Sequence, residues 1–186
     1  MNPVQKAIVP GILIGVFTLV GLSRLVTPPL TVSAATEEVQ NVAEQEKQSS
    51  CEFHERYPAN ILPWCALIEV TADKYNMDAL LIAAVMLQES GGQPEVISGS
   101  GAVGLMQVMP RDGIAATFQC INGPCFTNRP SIAELKDPAF NVDYGVRMLA
   151  GLTERHGDIR EALKSYGPYD VGYQYADKVL TIRGGL

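Results

Sequence analysis

The stretch ALLIAAVMLQE, residues 79 to 89, constrains this chain more than any other. Nine consecutive apolar residues follow Asp78, a residue type that caps helix N-termini, and after Ser90 come Gly91 and Gly92, which stop helices. The pattern predicts a helix that needs a core around it. With 186 residues and 47% hydrophobic content, the chain can build one globular domain with a proper core, plus attachments. On this helix Val85 and Met86 lie on the same side as Glu89, with Leu81 and Ile82 one turn further back, so a carboxylate ends an apolar face. Desolvation in such a place disfavours the charged form and raises the pKa, which keeps a glutamate protonated for use as a general acid near neutral pH. The plainer alternative is a glutamate pointing into solvent at a frayed helix end.

Further helices follow the same punctuation. Pro63 fits the first turn of a helix with body WCALIEVTADKY. Asp137 caps PAFNVDYGVRMLAGLTERH with Pro138 in first position, Asp158 starts IREALKSY, and a last helix runs through YQYADKVLTI. Two long loops intervene, ISGSGAVG and ATFQCINGPCFTNRPS. There is no alternating run long enough for a major sheet and no internal repeat, so the expected class is mainly α.

The ends and cysteines place the domain. Residues 1–35 contain Lys6, an apolar run from Ala7 to Leu22 and small residues around Ala34 and Ala35, and read as an export segment. The run is long for a signal core and short of the ~20 apolar residues of a membrane helix, and removal is favoured over retention as an anchor. Residues 36–50 are polar and lack aromatics, as a solvated tether would. A domain spanning 51–186 then begins at Cys51. Cys51, Cys65, Cys120 and Cys125 form an even set in an exported chain, which favours two disulfides; of three connectivities, the local pairs Cys51–Cys65 and Cys120–Cys125 are preferred. Zinc is the competing reading, but no CxxC spacing is present.

Charge excludes one class of partner. The formal net charge is −6, and beyond residue 35 it is −8, with 12 basic against 20 acidic residues. This argues against a nucleic-acid groove. His54 and His156 lie far from the Glu89 region and give little support to a metal or nucleophilic site, and no phosphate-binding glycine motif is present. No dissociable cofactor is expected.

The segment ESGGQPEVISGSGAVGLMQVMP, with Ser98 nine positions after Glu89 and then Gly104-Leu105-Met106-Gln107, resembles the signature of the soluble lytic transglycosylase family. Those are lysozyme-like enzymes that cut the glycan of bacterial peptidoglycan. Asp137-Pro138 with Asn141, Gly145 and Leu149, the Glu161–Gly167 segment, and Tyr175 with Lys178-Val179-Leu180 extend the likeness over about residues 65 to 182. One departure is Gly167, where the family usually has asparagine.

The resemblance implies a lysozyme-like helical domain, of the goose-type-lysozyme or SLT kind, in which Glu89 is the single catalytic acid and base. It would protonate the bridging oxygen between N-acetylmuramic acid and N-acetylglucosamine and then take the proton of the muramyl primary hydroxyl, leaving an anhydro end. It implies assistance from the substrate acetamido group, so that no second carboxylate is needed; Glu95 and Asp112 read as solvated loop residues. By position, Ser98, Gln107, Met109, Asn141, Tyr166 and Tyr175 fall at the substrate cleft, while Met106 reads as core. Gly99, Gly101 and Gly104 serve either backbone turns or close approach of a sugar. A hydrolytic muramidase or a non-catalytic wall-binding scaffold are the rival readings. The expected partner is the glycan strand, in the periplasm or cell envelope. Small single-domain members often serve a secretion, conjugation or similar envelope-spanning assembly. Contact with the membrane is expected only through residues 1–35, if they are retained.

Overall fold

The computed structural model describes residues 51–186, so the expectations for the export segment 1–35 and the tether 36–50 lie outside the described residues. Six α-helices carry the described chain: α1 (Cys65–Tyr75), α2 (Ala79–Glu89), α3 (Ile132–Leu135), α4 (Pro138–His156), α5 (Ile159–Tyr166) and α6 (Gln174–Gly185). Helix α2 is the apolar one. Asp78 Oδ1 accepts from the Leu80 and Leu81 amides, fixing its start, and every residue from Leu80 to Met86 is buried. Burying a Leu, Ile, Val or Met side chain is worth about 1.5–3 kcal/mol, so this helix is a principal stabilising element.

The other helices join it directly or through one another. α1 and α6 pack on α2, α4 packs on α1 and α5, and α5 on α6. Asp137 and Asp158 cap α4 and α5, accepting from Phe140 N at 2.7 Å and Glu161 N at 2.9 Å. Ile61, Ile68, Ile82, Met86, Leu105, Met106, Leu149 and Leu163 are fully buried, so Met106 does belong to the core.

Local geometry departs from the sequence pattern in a few places. Pro63 sits in a 3₁₀ turn, Leu62–Trp64, and α1 begins only at Cys65. The segment 116–131, expected to be loop, begins inside a 3₁₀ turn (Gly113–Thr117), holds a minimal antiparallel hairpin of β1 (Gln119–Cys120) with β2 (Gly123–Pro124), and leads into α3, which the sequence pattern did not mark. α3 is one turn long, too short to show periodicity, and is set by a capping box between Ser131 and Glu134. The hairpin is closed by the Cys120–Cys125 disulfide, and Cys51–Cys65 ties the start of the domain to α1. Glu69 accepts from the Glu52 and Phe53 amides at 3.0 Å beside that second bond. No described helix is long and apolar enough to cross a membrane.

Candidate active site

Glu89 is the last residue of α2, where the buried helix reaches the surface. Burial raises its carboxyl pKa from 4.5 to about 7, and a hydrogen bond donated by the Tyr175 hydroxyl to Oε1 works in the opposite direction. Burial therefore keeps the protonated form populated near neutral pH. With Oε1 engaged, Oε2 is the oxygen left for proton exchange. Burial, and then the charge of Glu89, push the Tyr175 and Tyr166 phenols well above their ordinary range, so both remain hydrogen-bond donors.

A loop formed by residues 96–109 lies against this helix end and is pinned by polar groups. Ser90, buried, donates to Leu105 O at 2.9 Å and accepts from Gly92 N at 3.1 Å. Tyr166 donates to Met106 O at 2.9 Å. Asn141, only 1% exposed, uses both ends of its amide: Nδ2 donates to Val103 O at 2.8 Å and Leu135 O at 2.9 Å, and Oδ1 accepts from Met106 N at 2.8 Å. Gly104 makes that approach feasible. Its φ is +77°, and a Cβ there would lie 2.3 Å from Asn141 Nδ2. Within the loop, Ser98 Oγ accepts from Ala102 N at 3.0 Å, and its own proton stays available to an outside acceptor. Gln107, at φ +45°, spends Nε2 on Gly104 O and Val96 O.

The structure thus joins Glu89 to Tyr175 directly and to Tyr166 through the shared loop. Ser98, Gln107 and Met109 ride on that loop with partial exposure, and among the described residues none bonds to Glu89. Asn141 differs from the expectation: buried and saturated by main chain, it holds the loop and has no free group for a sugar. Asp112 also differs. It is part-buried and accepts from Ile132 N at 2.8 Å, fixing the start of α3, whereas Glu95 is exposed as expected. Among the described residues, burial and Tyr175 account for the Glu89 shift, with no second carboxylate acting on it.

Two features escaped the sequence reading. Trp64 Nε1 donates to Gly92 O at 2.9 Å and Asn60 Nδ2 to Gly91 O at 2.8 Å, bracing the exit of α2 from some thirty residues away, and no local pattern signals it. The second concerns Gly167, whose backbone is extended. A Cβ there would fall 2.4 Å from Tyr175 Cγ, so the missing side chain is the space that the Tyr175 ring occupies on its way to Glu89. The ES pair did carry a signal for Ser90, but not for its role as a latch.

A helical domain in which a buried helix ends on a carboxyl held by a tyrosine, beneath a polar loop, has counterparts among known proteins. The chain belongs to the family described as Transglycosylase SLT domain, whose model matches residues 66–173. It is 38% identical over 97 residues to membrane-bound lytic murein transglycosylase E of Buchnera aphidicola, covering 52% of this chain and 42% of that one. It is 34% identical over 105 residues to the transglycosylase of Enterobacteria phage PRD1, and 35% identical over 89 residues to the endo-type membrane-bound lytic murein transglycosylase A of Klebsiella pneumoniae. These alignments cover 56% and 48% of this chain, and 34% and 42% of the respective relatives. The chain therefore aligns with less than half the length of the curated relatives it matches. A solved structure of an inactive mutant of lytic transglycosylase Slt from Pseudomonas aeruginosa shares the fold, with TM-score 0.51 and 19% identity over 81% of this chain and 28% of that one.

Proposed function

We propose that this protein is a peptidoglycan lytic transglycosylase with Glu89 as its only catalytic carboxyl. The observation that carries this reading is the position of Glu89: an acid raised to about 7 by burial, oriented by Tyr175, with no carboxylate partner among the described residues. In its protonated form Glu89 gives the proton to the bridging oxygen as the bond to the anomeric carbon breaks, and N-acetylglucosamine leaves with that proton. The deprotonated carboxylate then takes the proton from the primary hydroxyl of the muramyl residue as that oxygen bonds to the anomeric carbon. An anhydro end forms, Glu89 regains its proton and no water is consumed. A retaining two-carboxylate glycosidase would need a second acid roughly 5–5.5 Å away.

In this reading Ser98 donates to an acetamido carbonyl, Gln107 and Met109 face the glycan, and Tyr166 and Tyr175 fix the loop and the acid. Two of the curated relatives are named membrane-bound lytic murein transglycosylases and the phage relative a transglycosylase, which supports action in the cell envelope after export through residues 1–35, with 36–50 as a tether. A local role beside an envelope-spanning secretion or conjugation assembly belongs to the same reading. Recovery of no envelope-machine component in a pull-down that preserves activity would remove that part of it.

The deciding experiment is incubation with purified peptidoglycan beside Glu89→Gln, followed by product masses. Anhydro-muramyl ends that disappear in the variant support the proposal. Hydrated reducing ends would make the protein a muramidase, and wall binding without release a scaffold.

A further inference from the structure

A groove runs along one face of α4 beside the Glu89 site. Two cavities, of about 350 and 620 Å³, share Arg129 and Tyr144 as a common wall. In the smaller one, Tyr144, Arg147, Met148 and Arg155 follow the spacing of a single helix face, Arg129 closes one side and Ser165 the other. Ser165 adjoins Tyr166, and Gly145, next to Tyr144, packs against Met106 and the Tyr166 hydroxyl. Groove and acid therefore share the α4–α5 wall.

The charge of this groove is against the trend of the domain. Of the 14 basic residues Lys6, Arg24 and Lys47 precede Cys51, as do 4 of the 20 acidic ones, leaving 11 basic against 16 acidic in residues 51–186. Arg111, Arg160 and Arg183 are ion-paired, whereas among the described residues Arg129, Arg147 and Arg155 are not, and these three line one cavity. Arg147 stacks 4.8 Å from the Tyr144 ring centroid, and Arg129 donates to Met148 Sδ, so two guanidiniums are held in place by neutral partners. On α4 the nearest acids do not cancel them. Asp143 is bound to Lys74 and Tyr75, and Glu154 lies outside the lining.

Spacing identifies the kind of anion. Eight residues of helix separate Arg147 from Arg155 by about 12 Å, too far for one small anion to bridge and about the length of four residues of extended peptide. Glycan freed of its stems keeps a single lactyl carboxylate on each muramyl residue, which cannot span such a row, whereas a stem carries several carboxylates along one peptide. Resting on the peptidoglycan reading above, we propose that this groove binds the carboxylates of the peptide stem attached to the muramyl residue, and so selects stem-bearing strands over bare glycan.

The test compares intact peptidoglycan with the same material freed of its stems by an amidase, using the full chain and its Arg147→Gln/Arg155→Gln and Arg147→Lys/Arg155→Lys variants. The wild type is expected to cleave stem-bearing strands with kcat/KM about tenfold higher than bare strands, through KM, and the advantage shrinks as salt rises. The Gln pair should lose the advantage while keeping the rate on bare glycan, and the Lys pair should restore part of it. Equal rates on the two substrates, or equal loss on both in the Gln pair, overturn the groove while leaving the transglycosylase reading intact. Cleavage of neither substrate by the wild type overturns that reading instead. The groove is then judged by binding of released stem peptides to Glu89→Gln protein: it stands if they bind and amidating their carboxylates abolishes binding, and falls otherwise.

Discussion

Glu89 ties sequence to chemistry through one quantity, the cost of charging a carboxyl at the end of a buried helix. Its loss in Glu89→Gln should lower turnover of peptidoglycan by about 10²–10⁴-fold, the usual worth of a general acid. Because the protonated form gives the first proton, kcat/KM should fall as pH rises through about 7. Tyr175→Phe removes the hydrogen bond that holds the pKa down, so that descending limb should move to higher pH while kcat drops, as a pH–rate profile would record. Stability follows the same logic. Below the unfolded value near 4.5 the carboxyl is protonated in both states and its contribution is complete; that contribution is lost as pH rises through the folded value of about 7. Glu89→Gln should therefore stabilise the protein at pH 8, by up to ~3 kcal/mol, and change little at pH 4, as thermal melts at the two pH values would show. Gly167→Asn tests the space beneath Tyr175. The added Cβ displaces the ring, and a loss of about 1–3 kcal/mol together with reduced turnover is expected. Glu89 was legible because its neighbours in sequence create its environment. Gly167 was legible only as a departure, since the ring that fills its place comes from another helix.

At the scale of elements, the loop 96–109 owes its shape to groups it does not contain. Asn141→Ala would leave Val103 O, Leu135 O and Met106 N without their partner, and the buried loss should cost about 3 kcal/mol in a denaturant melt and release the loop from the site. The same residue shows where a motif reading stops. An asparagine in the right position has one set of donors and acceptors, and sequence cannot say whether main chain or sugar receives them. Helix starts were readable because an aspartate cap acts within three residues of itself, as Asp78, Asp137 and Asp158 do. α3 and the β1–β2 hairpin were not, because one helical turn and two-residue strands are too short for a period to register. Opening Cys51–Cys65, which spans 14 positions, should lower stability by roughly 3 kcal/mol, measurable as a melting shift in the Cys51→Ser/Cys65→Ser pair.

Over the whole molecule, α1 and α6 pack on α2 while α4 packs on α1 and α5 on α6, and the acid of α2 sits at the helix end that this packing leaves partly exposed. The arginine groove is likewise a product of packing, lined by Arg129, a face of α4 and Ser165 of α5. The sequence by itself determined the helical class, the three aspartate caps, the local pairing preferred for the cysteines and the candidate acid. Each of these rests on periodicity or on interactions between residues close along the chain. Only the tertiary structure decided that Tyr175 meets Glu89 across 86 positions, that Asn141 serves the backbone, and that three arginines converge in one cavity. Those facts depend on how separate helices approach one another, and packing of that kind leaves no periodic trace in the chain.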